Sequence, residues 1–136
     1  MESAELQVTT GDREVVLDLT RRCERFVAER GGSGLLHVFV PHATAGIAVL
    51  ETGAGSDEDL LAALADLLPA DDRWRHRHGS RGHGRSHVLP ALVPPYATVP
   101  VVDGRLPLGT WQSICLVDLN VDNAERTVRL SLLRSA

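Results

Sequence analysis

Lysine is absent: all fourteen basic residues of this 136-residue chain are arginine. That removes Schiff-base chemistry and any lysine nucleophile from consideration. Cysteine is almost as scarce, with only Cys23 and Cys115. Two distant thiols in apolar surroundings form neither a disulfide framework nor a paired zinc knuckle, and they read as reduced and buried. Phenylalanine, tryptophan and tyrosine together make up 4% of the chain, too little for a track on which nucleic-acid bases stack. No apolar run approaches the roughly 20 residues that span a bilayer, and the opening Met-Glu-Ser-Ala-Glu has no basic stretch leading into an apolar one. These features predict a soluble cytoplasmic protein with no membrane partner.

Apolar residues account for 43% and charged residues for 24%, an ordinary globular balance. The length suits one domain over residues 1–136, with no internal repeat. Alternation marks strands at Leu6–Thr10, Val15–Leu19, Leu35–Val40, Ala45–Glu51, Ala97–Val102, Ile114–Leu119 and Thr127–Leu133. Leu35–Val40 is dense enough in branched and aromatic residues to lie centrally in a sheet. Val88–Val93 reads as a short strand or turn, and Asp103-Gly104 as a hairpin whose return strand starts at Arg105.

Gly11-Asp12 reads as a turn pairing the first two strands, and Asn120–Glu125 as the turn joining the last two. Thr20 is placed to cap a first helix. Ser56, with Asp59 three residues on, is placed to cap a second over Asp57–Leu68, which carries a leucine stripe and is stopped by Pro69. The expectation is an α+β domain of about eight or nine strands and two helices, mainly antiparallel.

Charge is unevenly placed. The chain carries a formal net charge of -4, yet Arg73, Arg75, Arg77, Arg81 and Arg85 fall in a stretch to His87 that has no carboxylate. Such local positive potential suits a phosphate or carboxylate rather than a long polyanion. The same stretch holds His76, His78, His83 and His87, four of the six histidines. His83 and His87 have a spacing found in zinc sites, but no HExxH or CxxC accompanies them. The surrounding arginines would repel a bare cation and attract phosphate. They favour an anion alone, or a metal bridged to a phosphorylated ligand, over an isolated structural zinc. A solvated basic loop is the competing reading.

His42 stands at the junction of two apolar strands, with Glu51 at the far end of the second. Alone, it fits a hydrogen-bonded structural residue as well as a functional one, and Glu51 suits a tautomer holder, a metal ligand or a base. His37 reads as a core or interface residue. Between Gly104 and Gln112, Gly109 permits a turn that Trp111 can anchor by burying its ring, with Thr110 and Gln112 offering polar groups. No G-x-S-x-G elbow, Walker A loop or dinucleotide fingerprint is present.

In this order, His42-Ala43-Thr44-Ala45 with Glu51, then Trp74-Arg75-His76 and Ser86-His87, then Gly104-Arg105 through Gly109-Thr110-Trp111-Gln112, the chain resembles the YjbQ or UPF0047 family. The likeness covers Leu35 to Leu133. It implies a two-sheet antiparallel sandwich, often trimeric, with histidines gathered in one pocket. By this resemblance His42, His76 and His87 are the metal ligands and catalytic centre, with Glu51 beside them and a divalent ion, magnesium or zinc. Thr44, Thr110 and Gln112 would contact the ligand.

The family activity implied is secondary thiamine-phosphate synthesis, the joining of a pyrimidine diphosphate to a thiazole phosphate with release of pyrophosphate. The competing class is a non-catalytic oligomer that binds metal or an anion. The chain departs from the family pattern at Ala43, at Leu50 and Thr52 around Glu51, at Leu89 in place of a lysine, and at Pro94. Arg81 or Arg85 is the candidate replacement for the missing positive charge.

Overall fold

A computed structural model describes all residues, Met1–Ala136. Seven strands form two antiparallel sheets. The first has the order β1 (Glu2–Thr9), β7 (Glu125–Arg134), β3 (Gly34–Phe39), β5 (Tyr96–Val101), and the second β2 (Val15–Asp18), β6 (Ser113–Asp118), β4 (Ala45–Leu50). Helices α1 (Thr20–Arg30), α2 (Ser56–Leu67) and the single-turn α3 (Leu89–Leu92) complete the fold, with a 3-10 turn at His83–His87.

The two-sheet α+β sandwich agrees with expectation, with seven strands and three helices in place of eight or nine strands and two, and its layers follow from the side-chain period of two. Leu36 and Val38 of β3, Val99 and Val101 of β5, and Val128, Leu130 and Leu132 of β7 meet Ile47, Ile114 and Leu116 of the second sheet. α1 adds Cys23, Phe26 and Val27 to that core. The opposite face of β6 is covered too: Val117 and the following Leu119 pack with Leu64 and Leu68 at α2 and with Leu89 and Val93 at α3. A strand covered on both faces needs apolar residues at consecutive positions, and β6 has them. β3 lies centrally, between β7 and β5. Cys23 and Cys115 are free and buried, and burial pushes both thiols up to about 12.

Several local expectations are corrected. β1 does not pair with β2: Gly11-Asp12 is a corner between sheets, and β1 runs in register with β7, Glu2 opposite Leu132 and Thr9 opposite Glu125. Likewise Asn120–Glu125 carries the chain from the second sheet to the first rather than closing a hairpin. Val88–Val93 contains helix α3, and the Asp103-Gly104 turn ends in one isolated bridge, Val102 to Arg105, without a return strand.

Ser56 is the first residue of α2, not its cap. Gly55 caps in the left-handed region, and Asp57, Glu58 and Asp59 favour the helix dipole. Thr20 is spent elsewhere, its hydroxyl accepting the Ile114 N–H at 2.9 Å. Trp111 is 72% exposed and buries no ring.

Candidate metal centre

The segment after α2 is nearly devoid of regular structure but is pinned at several points. Trp74 Nε1 donates to the Pro69 carbonyl at 2.8 Å. Arg85 turns inward, 5% exposed, donating to the Leu68 carbonyl at 3.0 Å and pairing with Glu14. Gly84 lets the segment fold onto itself, since a Cβ there would lie 2.5 Å from the His76 carbonyl oxygen and from Trp74 Cβ. The 3-10 turn then places His83 and His87 side by side.

These constraints bring four imidazoles together. His76, His78, His83 and His87 each offer a ring nitrogen, all within 4.8 Å of one another. His83 Nε2 stands 3.0 Å from His87 Nε2, and His76 Nε2 contacts His78 Nε2. The His76 and His87 rings lie 3.9 Å apart, and those of His78 and His83 4.8 Å. His76 and His78 face solvent while His83 is buried.

Crowding strips water from the His76 and His87 rings, and neighbouring imidazoles repel a further proton, so both titrate below the usual histidine range. Neutral rings keep the lone pair that a cation needs. Converging Nε2 atoms can hydrogen-bond one another only if one ring of each pair supplies a proton, whereas one cation satisfies every lone pair at once. The donor set therefore fits a borderline transition metal such as zinc. Magnesium prefers oxygen ligands, and none is present among the four.

Asp122 supports the group from the β6–β7 connection. Its Oδ2 lies 2.8 Å from His83 Nδ1, within ion-pair reach although the approach is not that of a linear hydrogen bond. The same carboxylate accepts the Ser80 N–H at 3.1 Å and the Ser80 hydroxyl at 2.9 Å. The Ser80 N–H foremost holds Asp122 below the usual carboxylate range. Sequence reasoning did not find Asp122, which lay in a segment read as a turn.

Beside the imidazoles opens a cavity of about 380 Å³, whose lining includes the carboxylates of Asp71 and Asp72 as well as Trp74, Arg77, Ser80 and Arg81. The positive field is weaker than the sequence suggests. Arg73 is paired with Asp71 at 2.8 Å, Arg81 lies 3.7 Å from Asp72, and Arg85 is committed to Glu14. A cation among the histidines therefore meets less repulsion than five unpaired guanidiniums would exert. Arg77 and Arg81 line this cavity, whereas Arg85 is buried against Glu14 and the Leu68 carbonyl and lines a smaller neighbouring pocket with Ser80, Arg81 and His83.

The remaining sequence candidates are not among these four imidazoles. The Nε2 of His42 accepts the Thr127 N–H at 2.9 Å, and burial first, then nearby Arg126, keeps this ring below the usual histidine range. Thr44 is buried, accepting from Arg126 Nη2 at 2.8 Å and from Asn120 Nδ2 at 3.4 Å. Glu51, just beyond β4, belongs neither to the imidazole group nor to the cavity lining. Gln112 Oε1 accepts the Gly109 N–H at 2.8 Å, and it and Thr110 are exposed outside the cavity. Within the chain, two of the three histidines expected together, His76 and His87, do meet, joined by His78 and His83. His37 lies on the outer sheet face, its Nδ1 2.8 Å from Thr98 Oγ1 and its ring stacked with Phe39 and Tyr96.

The fold places the chain among small two-sheet α+β sandwich proteins. The chain belongs to the YjbQ/UPF0047 family: the family model described as UPF0047 protein YjbQ-like matches residues 4–135. It is 58% identical over 133 residues to the UPF0047 protein Rv2556c of Mycobacterium tuberculosis, covering 98% of each chain. It is 37% identical to the UPF0047 protein YugU of Bacillus subtilis, covering 80% of this chain and 83% of YugU. Among solved structures, a hypothetical protein from Aeropyrum pernix K1 superposes with a TM-score of 0.88 at 36% identity, covering 99% of this chain and all of its own (100%). A YbjQ-like protein of unknown function from Sulfolobus solfataricus P2 superposes with a TM-score of 0.90 at 27% identity, covering 98% and 97%.

Proposed function

We propose that the protein is a metal-dependent site for phosphorylated small molecules, with a divalent ion held by His76, His78, His83 and His87. The observation that carries this reading is the convergence of four ring nitrogens within 4.8 Å beside a cavity bordered by Arg77 and Arg81. The ion, zinc in preference to magnesium, would supply positive charge against phosphate oxygens. Arg77 and Arg81 would hold the same anion through charge-assisted hydrogen bonds, and Trp74 would offer an apolar wall.

The reaction suggested by the family resemblance is thiamine-phosphate synthesis. The thiazole nitrogen attacks the pyrimidine methylene carbon, a C–N bond forms, and the C–O bond to the diphosphate breaks, the electron pair leaving with pyrophosphate. The protein then needs no nucleophile of its own. Its work is orientation and charge stabilisation of the leaving group. The experiment is pyrophosphate release from a pyrimidine diphosphate and a thiazole phosphate, with and without zinc. Turnover that disappears in His76→Ala and His87→Ala while both variants remain folded supports the reading, and no turnover by the zinc-loaded protein overturns its catalytic part.

One observation favours a second reading, a non-catalytic metal-binding protein. Four nitrogen ligands close a tetrahedral site, and catalytic zinc ordinarily keeps one position open. Zinc binding without turnover selects it.

We further propose a homotrimer acting in the cytoplasm. Leu35, Phe39, Tyr96 and Leu133 are 46%, 36%, 52% and 46% exposed on the first sheet's outer face, where no layer of the chain covers them. Light scattering that returns a monomer mass overturns the trimer. No helix is long and apolar enough to cross a membrane.

A further inference from the structure

Resting on the metal reading above, we propose that Asp122 is a positioning residue that fixes which His83 nitrogen faces the ion. Neutral imidazole carries one N–H and one lone pair, so a ligating Nε2 requires the proton on Nδ1. Asp122 Oδ2 lies 2.8 Å from His83 Nδ1 along a bent approach, so its negative charge, rather than a linear hydrogen bond, favours the proton on Nδ1 and leaves the Nε2 lone pair toward His87 Nε2, 3.0 Å away. Among the four imidazoles, His83 is the buried one, so water is poorly placed to hold its tautomer in the carboxylate's stead.

Two features show that this contact is built into the fold. Gly79 adopts φ +78°, and a Cβ there would lie 2.7 Å from Asp122 Oδ2 and 3.3 Å from His83 Cγ, so a side chain at this position would crowd the contact. The carboxylate is itself supported from the core. Asp122 N–H donates to Asn120 Oδ1 at 2.9 Å, Asn120 N–H donates to Asp118 Oδ1 at 2.9 Å, and Asp118 is held by buried Arg126. The histidine loop thus draws its alignment from a rigid strand end about 40 residues further along the chain.

The test is zinc affinity of the full chain, by competition with a chromophoric chelator, with the visible spectrum of the cobalt(II)-substituted protein as a second readout. Asp122→Asn keeps an acceptor and Asp122→Ala has none, so affinity falls in that order, reaching about 10–100-fold in the alanine variant. Its cobalt spectrum weakens as His83 leaves a tetrahedral set. Ser80→Ala removes one of the bonds that hold the carboxylate but leaves the carboxylate itself, so its loss of affinity and its spectral change are smaller than those of Asp122→Ala. Wild-type zinc binding with an unchanged Asp122→Ala overturns this inference alone, as does a Ser80→Ala loss equal to that of Asp122→Ala, which would make the carboxylate a loop staple only. Failure of the wild-type chain to bind zinc or cobalt overturns the metal reading and this inference with it.

Discussion

Arg126 donates from Nε to Asp118 Oδ2 at 2.6 Å and from Nη2 to Asp118 Oδ1 at 3.1 Å, with both side chains withdrawn from water. The pair joins the end of β6 to the start of β7, and Thr44 accepts a further Arg126 bond from the β3–β4 connection. Removing one member strands the other charge in the interior. Arg126→Met is expected to cost roughly 3–5 kcal/mol in urea unfolding. In a double-mutant cycle with Asp118→Leu the coupling should reach the upper part of the ~0.5–3 kcal/mol range. A loss below about 1 kcal/mol would mean that water serves the abandoned carboxylate.

The pair also shows what a sequence conceals. Strand alternation located every strand of the sandwich because burial of one face enforces a period of two. It did not disclose partners, since β1 and β7 meet across more than 100 residues while Gly11-Asp12 and Asn120–Glu125 look locally like hairpin turns. The Ser56 expectation failed because Gly55 can adopt φ +101° and take the cap position instead. The histidine crowding was plain in the sequence. Which rings converge depends on Gly84, the inward turn of Arg85 and distant Asp122, all tertiary facts. His42 was grouped with His76 and His87 by resemblance, yet its Nε2 is engaged by the Thr127 N–H.

That engagement separates two histidines in a single measurement. His87→Ala removes a proposed ligand and should lower zinc affinity more than the 10–100-fold typical of losing a supporting residue. His42→Ala should leave zinc affinity within error. It should instead cost about 1–3 kcal/mol of stability, because the partly buried Thr127 N–H loses its acceptor. Equal loss of zinc binding in both variants would place His42 at the ion and contradict the present grouping.

Stability of the metal-free chain should depend on pH with a definite sign. His42, His76 and His87 all titrate below their ordinary value, chiefly through desolvation. The unfolded chain therefore binds more protons than the folded one as pH drops through about 6.5, and stability falls there. Asp122 acts in a separate window: its depressed folded value stabilises above about 4 and is lost in stronger acid. Urea midpoints at pH 7.5 and 5.5 without metal test the histidine arm, which predicts the lower midpoint at 5.5. Zinc should enlarge the difference, because protons compete for the same lone pairs. A flat profile would mean that the imidazoles stay hydrated when folded.

The arginines of the loop divide by geometry, and that division can be read with inorganic phosphate or pyrophosphate as the probe. Arg77 and Arg81 border the cavity, and Arg81 has only a loose, exposed partner at 3.7 Å. Arg85 is buried against Glu14 and the Leu68 carbonyl. The double variant Arg77→Ala/Arg81→Ala should weaken pyrophosphate binding to the zinc-loaded protein at least 10-fold, about 1.4 kcal/mol, and lessen its salt dependence. Arg85→Ala should reverse the pattern, costing about 2 kcal/mol of stability because Glu14 is only partly shielded, while binding in the folded fraction is retained. The two variants thus separate an anion-binding role from a packing role inside one short basic segment. Unchanged pyrophosphate affinity in the double variant would remove these guanidiniums from the site and leave the ion as the sole anchor for phosphate.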